Sequence, residues 1–424
     1  MAELSDLENK VCKKVEELEP ELVKLALDMG NMDTTQPNEK VAGDYVFAWM
    51  KENGFEPKKI GAPDRFNVLG AWRGTGKGSS LLFCSHLDGA RGKGAWREGD
   101  TLHGQAIANC KGPMACWMAS TKAIKDLGIK LPGDVLLSSV IGETGGSPID
   151  EFESPKYDSQ ELGARYVASH GGIADYALVA EASHFAIVPM MTGLALFKIT
   201  VYGGPRSTAW SMTRPEPSME KSVNAIIRMN RFVERFEKYA YEYMQKNTYT
   251  FDGGTVVPNA IVGAIRAGHP TRPFVTAEEC SIYCDFRVPP GKNPLDMKRD
   301  LEDILEDLGI EGKVEIYKNL PGYEAWKVTG FDTLKGSIVE THKKMFNKPP
   351  ENVKSWFVSM WRDLNPYNEI GIPSISYGFP TGYTYAGASY VLDAHWVKIP
   401  DMITAAKIYA LVTLDLCNRP YKKG

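Results

Sequence analysis

Apolar residues recur at three- and four-residue spacing over residues 7–28 and again over 39–53, which predicts two amphipathic helices, the second stopped by Gly54. Short β-rich runs follow at 67–72 and 80–84. The glycine-rich stretch between them, 73–78, reads as a hairpin turn; as a phosphate loop its spacing fails, and no Ser or Thr follows Lys77. A helical pattern over 114–127 separates these runs from buried strands at 135–140 and 176–180. Strand, helix and strand in this rhythm predict an α/β layer whose sheet is mixed, largely parallel, and flanked by helices.

The middle of the chain changes character. Strands are predicted at 193–202, 259–266, 280–287 and 313–317, with helices at 218–245 and 294–308. This β-α-β-β-α-β order makes a compact unit over 193–320, inserted into a layer formed by 1–192 and 321–424. An open edge of its sheet could pair with a second copy, which favours a homodimer or higher homo-oligomer. Helix, strand and helix return at 332–344, 373–377 and 400–416, and the Tyr- and Gly-rich run 377–390 reads as a loop rimming a site.

Charge narrows the partners. With 49 basic and 53 acidic residues the net charge is −4, which argues against nucleic acid or an anionic membrane. No apolar run approaches the ~18 residues of a membrane span and the first residues lack a leader pattern, so a cytoplasmic protein is expected. Seven cysteines without a Cys-x-x-Cys pair read as reduced, buried thiols.

Candidate chemistry collects where strands end. The run 81–88 closes in His86-x-Asp88, whose alternation puts both side chains on one face, and such an aspartate can accept the second ring N–H of a metal-bound imidazole. A second strand runs into Glu143-Thr144-Gly145-Gly146, and a third ends in Glu181. His, Glu and Glu at carboxyl ends of an α/β sheet occupy the place where such sheets bind ligands.

The order of these motifs resembles the co-catalytic zinc peptidase and deacylase family that includes acetylornithine deacetylase, succinyl-diaminopimelate desuccinylase and carboxypeptidase G. The likeness runs through His86-x-Asp88, Asn109-Cys110-Lys111-Gly112 where the family has Asp-Met-Lys-Gly, and Glu143-Thr144 where it has Glu-Glu. It continues through Gly203-Gly204, Pro258-Asn259 and Asp285-Phe286-Arg287. The resemblance implies that the inserted unit is a lid or dimerisation domain. It also implies a metal held by His86, Asn109 and Glu181, with Glu143 as the catalytic base and Asp88 supporting it. A second metal would need carboxylates at Asn109 and Thr144, so one divalent transition metal per subunit is expected, for which Mn, Zn, Co or Fe would serve. His395 is a possible further ligand.

The lid departs as well, with Ser207 where the family places a histidine. Arg206 or Ser207 would then stand in toward an oxyanion, and Asn259 would recognise a substrate carboxylate. Arg362, in an aromatic stretch with Trp356 and Trp361, is a candidate clamp for a flat carboxylate. Together these residues predict a metal-dependent hydrolase of a C–N bond in a small-molecule carboxylate. The expected reaction is that of an aminohydrolase, and the family resemblance implies an aromatic amine such as 5-nitroanthranilate as its substrate. The alternatives are an N-acyl amino acid amidase or carboxypeptidase, and a non-catalytic binding or scaffold protein with a vestigial site.

Overall fold

The computed structural model describes residues 3–89, 94–104, 106–144, 146, 159–209, 219–382, 385–386, 389–390 and 395–420. Its contacts divide the chain into two compact units, one of Met1–Met190, Glu324–Val353 and Arg362–Gly424, the other of Met191–Tyr323 and Lys354–Trp361. The expected start of a helix at residue 218, the turn residue Gly145 and parts of the 377–390 loop lie outside the described residues.

The first unit is built on six strands, in spatial order Lys58–Ala62, Arg65–Trp72, Val135–Val140, Leu81–His86, Tyr176–Val179 and Ser374–Ser376. The first three are joined antiparallel. From Val135–Val140 onward the strands run parallel, so the mixed α/β sheet is present. Helices Gly112–Asp126 and Ile399–Asn418 pack on it through faces buried almost all round, sharing one apolar core.

Two local expectations are corrected. The strands flanking residues 73–78 are not neighbours, because Val135–Val140 lies between them; the segment is a crossover, not a hairpin turn. Leu81–His86 is buried along its whole length and takes a partner strand on each edge, which the end of a hairpin would not provide. The glycines serve close backbone approach instead: a Cβ on Gly78 would stand 2.0 Å from the Cys417 carbonyl oxygen. The opening helical stretch is also two helices, Asp6–Glu17 and Glu19–Gly30. Pro20 has no N–H to continue the ladder and fits only the first turn of a new helix, so the chain breaks at Leu18.

The second unit is a four-stranded antiparallel sheet in the order Ala260–Ala267, Glu279–Val288, Gly193–Tyr202, Gly312–Leu320. Helices Ala225–Asn247 and Pro294–Asp307 cover one face, each begun by an asparagine whose side chain caps the first turn. Phe197, Phe232, Phe236 and Phe286 form the centre of its core. Ala260–Ala267 is an edge strand that leaves Ile261 and Ile265 exposed. Among the described residues no helix is long and apolar enough to cross a membrane.

Candidate metal centre

Register brings three strand ends level. Cys84 pairs with Val179 across the parallel ladder, so two residues later His86 and Glu181 stand side by side. On its other edge His86 pairs with Val140, and Glu143 follows after Gly142, whose φ of 65° turns the chain back in a conformation that glycine adopts without strain. Asn109 and Cys110 lie on the distorted turn Ile107–Lys111, where both have non-helical backbone angles before helix Gly112–Asp126 begins.

The imidazole of His86 is completely buried between two oxygen acceptors. Nδ1–H donates to the Asp88 carbonyl oxygen at 3.0 Å, and Nε2 faces Asn109 Oδ1 at 2.8 Å. A ring in that position holds either two protons or one proton and a cation. Burial opposes the charged ring, but Cys110, Asp88 and Glu143 around it outweigh burial and raise its pKa well above the usual histidine value. Glu181 offers a second donor. Its Oε2 is paired with Arg362 Nε at 2.9 Å, while Oε1 is buried with no hydrogen-bond partner. A carboxylate oxygen left so is costly unless a cation meets it, so the donor set fits a metal ion.

Asp88 does less for the ring and more for the base than the sequence suggested. Its carboxylate stands 3.6 Å from His86 Nδ1, whose proton goes to the main-chain oxygen instead. That carboxylate accepts the Glu143 amide at 3.0 Å and both the amide and hydroxyl of Thr144 at 2.6 Å. Burial works against its charge, yet His86, Thr144 and the Glu143 amide hold its pKa down at about 2. Glu143 Oε2 lies 3.7 Å from His86 Nε2. Burial, reinforced by Glu181 and Asp88, pushes the Glu143 carboxyl up to about 8 against the pull of His86 and Arg362.

Arg362 takes a different part from the one expected. It is buried, and besides Glu181 it donates Nη1 to the Ala182 carbonyl at 3.0 Å and to Ser376 Oγ at 3.1 Å. These bonds tie the guanidinium to the strand ends around the candidate ligand Glu181. Trp361 lies in the second unit, where the Arg287 guanidinium stands 4.1 Å over its ring. Also there, the Arg206 amide donates to Thr276 Oγ1 at 2.7 Å while its carbonyl accepts the Thr276 amide, Ser207 Oγ accepts the Ala209 amide at 3.1 Å, and exposed Asn259 turns Oδ1 to the Ala260 amide. His395 is buried in the first unit but is not brought into the metal-ligand group found among the described residues.

Three residues escaped sequence reasoning. Lys111 is fully buried and gives Nζ to the Leu87 carbonyl, to the Asp88 carbonyl at 2.8 Å and to Thr34 Oγ1 at 2.9 Å, pinning the loop that carries His86-x-Asp88. Asp363 is buried with both carboxylate oxygens lacking a hydrogen-bond partner. Burial first, then Glu143, Glu181 and Asp88, raise its pKa well above the carboxylate range, which places it in the field of the same cluster. The signal was an Arg-Asp pair ahead of the helix Leu364–Glu369. The third is Cys110, whose Sγ lies within 4.8 Å of candidate ligand atoms of His86 and Glu181.

Comparison with known proteins gives this geometry a context. Residues 217–313 match the model of a peptidase dimerisation domain. The N-formyl-4-amino-5-aminomethyl-2-methylpyrimidine deformylase of Bacillus subtilis strain 168 is 27% identical over 337 residues, covering 74% of this chain and 73% of that protein. Carboxypeptidase G2 of Pseudomonas is 25% identical over 232 residues, 51% of each chain. In fold the chain is similar to a tripeptidase of Staphylococcus aureus, with TM-score 0.71 at 15% identity over 95% of this chain and 99% of the other. A dinuclear metal-binding peptidase of Bacillus subtilis superposes with TM-score 0.61 at 13% identity, over 94% of this chain and 98% of that one.

Proposed function

We propose that this chain, a member of the M20 family of metal-dependent peptidases and deacylases, hydrolyses an N-acyl, formamide-like bond on a small ring-bearing amine with one divalent metal per subunit. Family members are hydrolases of amide and peptide C–N bonds, and that reaction class holds for this chain. The observation that carries the single-metal reading is the carboxylate pair that is missing: Asn109 is neutral, and the hydroxyl and amide of Thr144 are both spent on Asp88. Support for the substrate class comes from two deformylases, 27% and 24% identical, named for a formylated aminopyrimidine.

His86 and Glu181 would hold the ion, with the Asn109 amide oxygen as a neutral donor. A bound divalent ion lowers the pKa of water and polarises the bond to be cleaved. Glu143, whose Oε2 lies 3.7 Å from His86 Nε2, takes the proton from the attacking water and hands it to the leaving nitrogen. Arg362 keeps Glu181 in place, and Asp88 keeps Glu143 in place through its amide. The dimerisation-domain match and the bare edge strand Ala260–Ala267 support a homodimer.

A second reading has its own observation. With neutral Asn109 and with Thr144 bonded to Asp88 where a second ion would need carboxylates, one ion would have to polarise an amide unaided, whereas an electron-poor aromatic ring spreads the developing charge itself. An aminohydrolase of an aryl amine carboxylate therefore stands beside the deacylase. One experiment separates them: metal-loaded protein is given formylated aminomethyl-heterocycles and nitro-substituted anthranilates, and formate and ammonia are both assayed. Formate release alone supports the deacylase; ammonia release from the anthranilate, with no formate from the first panel, replaces it by the aminohydrolase.

A further inference from the structure

We propose that Cys110 is the third protein ligand of the metal, a thiolate that returns at position 110 the negative charge lacking at Asn109. The inference rests on the metal-dependent reading above. The ligand atoms of His86, Cys110 and Glu181 all lie within 4.8 Å of one another, and all three residues are buried. Among the described residues no other trio of His, Cys, Asp or Glu donors comes together in this way. Independently, Glu181 Oε1 is a buried oxygen with no hydrogen-bond partner, which points to a cation at this place.

Geometry sets the demand. Donors sharing a tetrahedral ion at bonds of about 2.0–2.3 Å stand roughly 3.3–3.6 Å apart, so these three need to draw in by about 1 Å. Cys110 Sγ now donates to the Ala180 carbonyl at 3.1 Å, and Ala180 is the chain neighbour of Glu181. On metal binding the S–H bond breaks, its proton leaves to solvent, and a sulfur–metal bond forms; a coordinating thiol is deprotonated outright.

Charge gives the reason. With neutral His86 and Asn109, Glu181 alone would oppose a dication while Arg362 sits 2.9 Å behind it. A thiolate doubles the anionic charge of the ligand set. Sulfur is also soft, so its presence shifts the preferred ion from manganese toward zinc, cobalt or ferrous iron.

The test uses the full chain, stripped of metal and then loaded with one equivalent of Co²⁺ or Zn²⁺. The cobalt protein is expected to show a near-ultraviolet thiolate-to-metal charge-transfer band, and zinc-edge X-ray absorption to show one sulfur at about 2.3 Å. Cys110→Ser should lose the band and weaken zinc binding by about tenfold or more, with a smaller loss for manganese. An ion bound without sulfur, or a band that survives in Cys110→Ser, overturns the assignment and leaves the metal-dependent reading standing. A chain that binds no ion overturns both. Where Cys110→Ser does not fold, the zinc-edge spectrum of the unsubstituted chain decides.

Discussion

Arg362 Nε and Glu181 Oε2 form a buried ion pair at 2.9 Å, and the other oxygen of that carboxylate is buried with no hydrogen-bond partner. Arg362→Met would leave Glu181 buried and uncompensated, at a cost of about 3–5 kcal/mol in the metal-free protein. With metal bound, the ion takes over part of the compensation, so the gap between variant and parent is expected to narrow. Denaturant unfolding of both proteins, with and without Zn²⁺, measures this. A gap that metal leaves unchanged would remove Glu181 from the ligand set.

Glu143→Gln keeps the shape of the side chain and removes the proton acceptor. Turnover is expected to fall by about 10²–10⁴-fold while metal stoichiometry stays that of the parent. Metal analysis alongside kcat separates loss of the base from loss of the ion. An active variant would end the assignment.

Asn109→Asp restores a carboxylate 2.8 Å from His86 Nε2. Ligand charge tightens binding, so isothermal titration is expected to show affinity higher by about tenfold or more. The number of ions bound should not rise, because Thr144 still lacks a carboxylate. Two ions in this variant would contradict the single-metal reading.

Glu161 provides a pH test away from the centre. Burial raises its carboxyl from 4.5 to about 7, against the pull of Arg165 and Asn365. Its folded pKa is thus above the unfolded one, so the folded state binds the extra proton between these values. Stability contributed by Glu161 is present below about pH 4.5 and is lost as pH rises to about 7, amounting to about 3 kcal/mol. Relative to Glu161→Gln, the parent should weaken across that window and run parallel above it in unfolding experiments. A constant difference through the window would refute the shift.

The centre was legible in part because buried parallel strands fix their own register. Once 81–86 and 176–179 read as core strands, His86 and Glu181 had to lie at neighbouring ends. The role of Arg362 was hidden, since an arginine after an aromatic run looks like a surface clamp until the fold carries it under Glu181. Asp88 misled for a local reason: the Asp88 carbonyl reaches the ring nitrogen first and frees the carboxylate for Glu143 and Thr144. The 73–78 crossover was missed because glycines needed for close approach and glycines needed for a tight turn leave the same mark in a sequence.

The bonds of Thr144 to Asp88 work against a carboxylate at position 144. Replacing Thr144 by glutamate would remove the hydroxyl that one Asp88 oxygen accepts, and would put a new charge beside Asp88, Glu143 and Glu181 with no second ion yet to neutralise it. Asn109→Asp alone gives that ion only half its cradle. On the one-metal reading proposed above, a second site would therefore need both changes together, because Thr144→Glu alone gives up a contact before any second ion can offset the added charge.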